Sequence, residues 1–338
     1  MIQNDYNKEI ELELVKVFSN DLTCEIANDF VGKLFESING YKKEIPMAGK
    51  VVYQKMISKV YAPYVKAFSY KIDEVCQEIG AVPLCLARDA IPIYYSLMKQ
   101  GVDAKLGFFT RAIMGHNDEI AGFEDKKVDT SLLVEYFEDV TCGKDVIIVD
   151  AGMYGSLIED LMKIGSNKVK GAMFLFSKNP GIYGFLNEIF EIDVANMSKI
   201  DVDQKTCDDF FNGSQLLDKN VVKYLAATIL IDSLECAHPH PIKSPLEFEI
   251  VGDRVAPKLV NQSSGIVQEL LEKWWESVLS AYVNFDYKKP MNLDELLDYM
   301  KTDGFTGLIS KPTPEWSSKK KFLDKFTLNV GEVYPLGR

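Results

Sequence analysis

The sequence predicts an α/β fold built around a central, mostly parallel β-sheet. Short apolar runs recur between residues 82 and 176, and amphipathic helical patterns separate them. Glycines and polar residues close most of these segments. Alternating strands and helices imply right-handed crossover connections, so the strands should run parallel and helices should cover both faces of the sheet.

The predicted core elements follow one another in a regular order. Apolar runs of strand length predict the strands, and apolar side chains at three- and four-residue spacing predict the helices between them. In chain order, the strands are 82–86, 105–110, 145–149 and 168–176, and the helices are 91–99, 131–139 and 156–164. The long polar stretch at 115–129 is expected to be a loop.

Helical segments and a β-hairpin are predicted to flank this core. Pro63 should begin or kink a helix, and Gly80 should end it. Gly252–Asp253 is suited to a tight turn between two apolar segments. Asn292 is a candidate N-cap for the last of three later helices, which span 217–234, 264–282 and 291–300.

These elements suggest three parts of the chain. We expect a helical segment at 1–80, an α/β phosphate-binding core at 81–200, and a mainly helical part at 201–338. The last part should contain the hairpin near 246–260.

Composition narrows the classes of protein to consider. The 338 residues are 47% hydrophobic and 26% charged, which are values typical of a globular chain. A formal net charge of -12 argues against nucleic-acid binding, because phosphate neutralisation requires a basic face. The first residues lack the pattern of a signal peptide, and no apolar run has membrane-spanning length, so the expected compartment is the cytoplasm.

The strongest candidate for a functional centre is the segment VIIVDAGMYGSL at 146–157. A strand ends at Asp150, glycines permit a tight bend, and Ser156 is expected to open a helix. Backbone N–H groups at such a bend suit phosphate, and the predicted phosphate-binding residues are Gly152, Met153, Tyr154, Gly155 and Ser156. Asp150 could bind ribose hydroxyls or a Mg²⁺ ion on the phosphates. The structural alternative is an ordinary strand–helix turn capped by Ser156.

Two further strand ends carry candidate ligand-binding side chains. Arg88 and Asp89 follow the first strand, and Thr110 and Arg111 end the second. The guanidinium groups suit phosphate or carboxylate, and ligands in such folds collect beyond the carboxyl ends of the strands. Arg88 and Asp89 could instead pair with each other or cap the following helix.

The three histidines are weaker candidates. His116 lies in the polar loop and could shuttle protons, although a lone loop histidine usually has no such role. His238 and His240 lie near Cys236 in ECAHPHP, but their spacing matches no known zinc motif.

Together, the three strand ends resemble the core of a type I phosphoribosyltransferase. LARDAIPIYYSL resembles that family's pyrophosphate loop, FFTRA its basic residue before a flexible hood, and VIIVDAGMYGSL its phosphoribosyl-pyrophosphate loop. The resemblance covers about residues 80–177 and implies a Mg²⁺-dependent site for a pyrophosphate-bearing sugar. The loop is a degenerate version of the family's motif, because Ala151 stands in place of its second acidic residue.

The same motifs are also similar to those of another group of proteins. ARD and VDAGMYGS resemble the ARDG-like and VDxGWxGS-like stretches of uncharacterised bacterial proteins. Some of those proteins carry haloacid-dehalogenase-like domains. This second resemblance implies no particular activity.

Three hypotheses about function stay open at this point. In the first, the chain binds a phosphorylated sugar and transfers it, with Arg88 and Arg111 neutralising leaving-group charge and Asp150 contacting hydroxyls or Mg²⁺. The second is a haloacid-dehalogenase-like phosphohydrolase with Asp89 as nucleophile, although Ile91 stands where its acid–base partner is expected. The third is a non-catalytic ligand-sensing or scaffold protein. The expected partner is a small phosphorylated ligand, and an apolar helix face could support a homodimer.

Overall fold

A computed structural model of the chain describes residues 57–110, 113–114, 130–152, 155, 157–197, 204–211, 216–236, 240–243, 245–262, 264–283 and 289–300. The predicted helices before residue 57 lie outside this range. Six residues singled out from the sequence also lie outside it: Arg111, His116, Met153, Tyr154, Ser156 and His238.

The described residues form two compact units. The first comprises the described parts of Val65–Phe185 together with Ile242–Asn261. The second comprises the described parts of 57–64, Leu186–Pro241 and 262–300. The first unit contains the central sheet and the hairpin, whereas the second is helical.

The first unit is built on a five-stranded parallel sheet with the order β2-β1-β3-β4-β5. Its strands are β1 (Val82–Leu86), β2 (Lys105–Gly107), β3 (Val146–Asp150), β4 (Val169–Phe174) and β5 (Tyr183–Gly184). Helix α1 (Ala62–Ile79) precedes β1. The helices between the strands are α2 (Ile91–Lys99), α3 (Thr130–Thr141) and α4 (Ile158–Gly165), the last followed by a 3-10 turn at Ser166–Lys168. The predicted α/β class and parallel sheet are therefore confirmed.

Burial on both faces explains why the sequences of the central strands are unbroken apolar runs. The apolar residues of β3, Val146 to Val149, are completely buried, and Leu84 and Cys85 of β1 are equally inaccessible. A strand covered on both faces has no solvent side on which to place polar residues. The core beside these strands contains Phe109, Tyr136, Phe137, Leu161, Ala172 and Phe174.

The predicted hairpin is confirmed as a separate antiparallel sheet. It consists of β6 (Phe248–Val251) and β7 (Arg254–Pro257), joined by Gly252 at a φ of +70° and by Asp253. The Phe248 ring packs against the Tyr136 ring of α3 at 5.0 Å between centroids, and Val255 is buried in the core. These contacts hold the hairpin on the sheet-containing unit.

The helices that follow β5 are α5 (Phe185–Ile189), α6 (Val194–Met197), α7 (Gln204–Phe211), α8 (Lys219–Cys236), α9 (Gly265–Val283) and α10 (Leu293–Met300). The predicted cap of the last helix is confirmed: Asn292 Oδ1 accepts from the Glu295 N–H at 3.0 Å, and Glu295 Oε2 accepts from the Asn292 N–H at 2.8 Å. This reciprocal pair is a capping box.

Several predicted bounds are shifted in the structure, and one short strand was not predicted. β2 ends at Gly107 rather than at residue 110, because the Phe108 N–H donates to the Tyr136 hydroxyl at 3.0 Å and leaves the ladder. The helix expected from residue 156 begins at Ile158 with Leu157 as its N-cap. The two-residue strand β5 was absent from the prediction, since so short a segment has no visible apolar pattern.

Within the described part of the chain, no helix combines the length and apolar character required to cross a bilayer.

Candidate functional site

The candidate site lies at the carboxyl edge of the sheet, where the strand order reverses. From β1 the chain passes to β2 on one side, and it later returns to place β3 on the other side. The loops that leave β1 and β3 therefore diverge, and such a point is where open parallel sheets bind ligands. In this chain, those two loops carry Arg88, Asp89 and Asp150.

A tight turn places Arg88 and Asp89 directly beyond β1. The Ala87 N–H donates to the Gly107 carbonyl at 2.8 Å, so pairing with β2 continues one residue past the strand. The Ala87–Arg88 peptide bond is cis. Ala90 then caps α2 without a side-chain hydrogen bond, so neither of the two charged residues serves as the N-cap. Arg88 is half-buried and Asp89 is exposed, which leaves the Asp89 carboxylate accessible from outside.

Asp150, the last residue of β3, has an unusual protonation equilibrium. Burial raises the pKa of its carboxyl to about 7, and the negative charge of Asp89 contributes to the rise. The backbone N–H groups of Gly152 and Ala151 hydrogen-bond to the carboxylate and partly offset this effect. At neutral pH, Asp150 therefore populates both its charged and its neutral form.

Little room is left for a side chain at position 152, because the Asp150 carboxylate lies close to it. A Cβ atom added there would lie 3.0 Å from Asp150 Oδ2. The Gly152 N–H, which is predicted from the sequence motif to bind phosphate, hydrogen-bonds to this carboxylate. Hydrogen bonds thus link the Asp150 side chain to the first two residues of the loop that follows β3.

Gly155 fixes the approach of the loop to α4. Its φ is +71°, a left-handed backbone conformation that residues other than glycine rarely adopt. A Cβ atom there would overlap Ile182 Cδ1 and touch Ile158 Cγ1 at 3.4 Å. The Ile158 N–H donates to the Gly155 carbonyl at 3.0 Å, which begins the helical turn. The helix expected to open at Ser156 begins at Ile158 with Leu157 as its N-cap, and Ser156 itself lies outside the described residues.

Thr110 has a clear structural partner. Its hydroxyl donates to the Pro245 carbonyl at 2.7 Å and accepts from the Ile113 N–H at 3.2 Å. These bonds attach the base of the hairpin segment to the chain beyond β2. The hydroxyl's hydrogen is thus used within the protein, and a ligand contact by Thr110 stays a prediction.

The structure brings together Asp89 and Asp150, and places Arg88 in the same turn as Asp89. Elsewhere, His240 is buried with its ring 4.6 Å from that of Trp275. No group of three or more His, Cys, Asp or Glu side chains capable of holding a metal ion occurs among the described residues.

One segment beside the site was missed by sequence reasoning. The turn after β4, Leu175 to Ile182, packs on Gly155 through Ile182 and contains Lys178. The sequence FSKNPG, an apolar strand followed by Asn-Pro-Gly, is the signal that could have placed Lys178 at the carboxyl edge.

Comparisons with known proteins identify no family for this chain. No model of a known protein family matches the chain, and no curated protein matches it significantly.

Proposed function

We propose that the chain binds a phosphorylated or pyrophosphate-bearing sugar between the loops after β1 and β3. The observation that carries the proposal is the meeting of Asp89 and Asp150 at the point where the strand order reverses. Ligand sites of parallel sheets cluster at such points, and a carboxyl group with a strongly shifted pKa in a cleft is typical of functional sites.

Asp150 suits recognition of sugar hydroxyl groups. In its charged form it accepts hydrogen bonds, and in its neutral form it also donates one. Because its pKa is about 7, either form is accessible at little cost near neutral pH. A group with this pKa can also hold or accept a proton during a reaction, so it supports sugar transfer as well as binding.

Positive charge for the phosphate groups would come from the neighbouring loops. Arg88 is half-buried beside the site and offers a planar fork of N–H donors. Arg111 and the segment from Met153 to Ser156 are assigned to the same ligand on the sequence motif alone. Catalysis would then depend on positioning and electrostatic stabilisation, without a covalent nucleophile.

Mg²⁺ fits the residues that are present. Asp89 and Asp150 repel each other, and a divalent cation between them would replace this repulsion by attraction. Two carboxylates with substrate phosphates and water form a typical magnesium environment. When bound, the ion would neutralise phosphate charge; the two aspartates would hold it in place.

A thermal-shift experiment tests the proposal. Phosphoribosyl pyrophosphate with Mg²⁺ should stabilise the wild-type chain, by about 2.7 kcal/mol at a hundredfold excess over Kd. Asp150→Asn should reduce the shift. Asp145→Asn is the matched control, because Asp145 lies directly before β3 at the opposite edge of the sheet. Absence of any shift at millimolar ligand would exclude this ligand class.

The same variants separate the alternatives. A haloacid-dehalogenase-like phosphohydrolase would turn over an aryl phosphate and lose this activity in Asp89→Asn. Its expected acid–base position is Ile91, which is buried in the first turn of α2, so this alternative lacks a proton donor there. Stabilisation by the sugar ligand without turnover of any acceptor would indicate a sensing function.

A further inference from the structure

The turn after β4 lies next to the end of β3, on the side away from β1. The Leu175 N–H donates to the Asp150 carbonyl at 3.0 Å, so β3 and β4 stay paired as they leave the sheet. Ile182, at the end of the turn, packs directly on Gly155. The turn therefore runs alongside the loop that follows Asp150.

Internal hydrogen bonds fix the conformation of this turn. Ser177 is completely buried, and its Oγ accepts from the Asn179 N–H and donates to the Asn179 carbonyl, both at 3.0 Å. Asn179 Oδ1 in turn accepts from the Gly181 N–H at 2.8 Å. Lys178 lies between the two bonded residues and is half-buried. Its backbone is thus held in a defined position beside the site.

Arg88 and Lys178 lie in the turns that follow the two strands on either side of β3. Arg88 follows β1 and Lys178 follows β4, and these strands are the two neighbours of β3. Adjacent strands lie about 4.8 Å apart, which is well within the reach of long cationic side chains. Among the described residues in the loops that leave the sheet at this edge, these two carry the positive charge.

We propose that Lys178 binds a phosphate group of the ligand from the β4 side while Arg88 binds from the β1 side. The inference rests on the proposed function. A phosphate at this edge would lie close to Asp89 and Asp150 in a chain of net charge -12. Binding therefore requires nearby positive charge, and a lysine ammonium acts as a compact point charge for phosphate.

Calorimetric titration with two probes, ribose 5-phosphate and ribose in the presence of Mg²⁺, isolates the phosphate contribution. Lys178→Gln should weaken binding of ribose 5-phosphate about tenfold or more and leave ribose unaffected. Lys178→Arg should retain most of the affinity, because it keeps the charge. Lys170→Gln is the matched control: Lys170 lies on β4 toward its amino end and pairs with Asp145 at 3.1 Å. The Lys170→Gln variant should bind ribose 5-phosphate with the affinity of wild type.

The possible results separate this inference from the proposed function. If wild type binds ribose 5-phosphate and Lys178→Gln binds it equally well, the inference is overturned and the proposed function stands. The inference is also overturned if Lys178→Gln and Lys170→Gln lose equal affinity for ribose 5-phosphate, because the effect would then not be specific to position 178. Equal losses of affinity in Lys178→Gln and Lys178→Arg overturn it as well, because the positive charge at position 178 would not be responsible. The same variants are titrated with phosphoribosyl pyrophosphate, and failure of wild type to bind either ligand removes both proposals.

Discussion

The Asp89 carboxylate raises the pKa of Asp150 across the boundary between β1 and β3. The two residues are far apart in sequence, and parallel pairing of their strands brings them to one edge of the sheet. Like charges disfavour each other's ionisation, so Asp150 holds its proton more strongly than it would without Asp89.

Removing the charge of Asp89 should lower the pKa of Asp150. In Asp89→Asn, burial still raises this pKa, but the repulsive contribution is lost, so the titration of Asp150 should move below about 7. Carbon-13 NMR of the Asp150 side-chain carboxyl measures the change. Asp145→Asn should leave the Asp150 titration in place. An unchanged pKa in Asp89→Asn would show that the two groups do not interact.

Asp150 should make the stability of the protein depend on pH. Its folded-state pKa of about 7 lies above the ordinary value of 3.8, so the folded state retains a proton that the unfolded state loses between these values. The free energy of unfolding should therefore fall as pH rises through this window, and level off above it. One pKa unit corresponds to about 1.4 kcal/mol, so the total decrease is on the order of a few kcal/mol.

Urea denaturation across this pH range, in wild type and Asp150→Asn, measures that contribution. Asparagine carries no titrating proton, so the variant should lose less stability than wild type as pH rises. Comparing the change with pH within each protein cancels the cost of the substitution itself. Asp145→Asn should follow wild type. Parallel curves for wild type and Asp150→Asn would contradict the assignment of the proton to Asp150.

Thr110→Val should destabilise the sheet-containing unit. The substitution leaves the Pro245 carbonyl without its donor and the Ile113 N–H without its acceptor. Loss of a partner for such groups costs about 1–3 kcal/mol. Thr110→Ser keeps the hydroxyl and should retain most of the stability. Urea denaturation measures both variants; unchanged stability in Thr110→Val together with weaker ligand binding would instead assign the hydroxyl to the ligand.

The sequence was sufficient to predict the parts of the fold that depend on local patterns. β1 and α2 have the predicted bounds, because Gly101 and the polar turn at Arg88 delimit their apolar runs. The predicted meeting of the Asp89 and Asp150 loops also follows from local information, since parallel strands place their carboxyl ends at one edge.

Features that depend on distant contacts could not be predicted in this way. β2 ends early because Tyr136, 28 residues later, takes the Phe108 N–H. The partner of Thr110 is Pro245, 135 residues away, and no local sequence pattern predicts this hydrogen bond. The pKa of Asp150 depends on burial and on Asp89, which are both properties of the folded chain.

Gly155→Ala tests whether the loop after β3 is held by packing as well as by backbone conformation. Alanine at this position suffers the cost of a φ of +71° and an overlap of its Cβ with Ile182 Cδ1. Gly80→Ala is the matched control, because Gly80 has a φ of +75° and nothing lies within 4 Å of an added Cβ. The left-handed conformation alone costs about 1–2 kcal/mol, and overpacking adds about 1–3 kcal/mol.

We therefore expect Gly155→Ala to lose more stability in urea denaturation than Gly80→Ala, by about the overpacking term. The double variant Gly155→Ala with Ile182→Val should recover part of the difference, because valine lacks the Cδ1 atom that the new Cβ meets. Equal losses in the two single variants would mean that Ile182 yields easily.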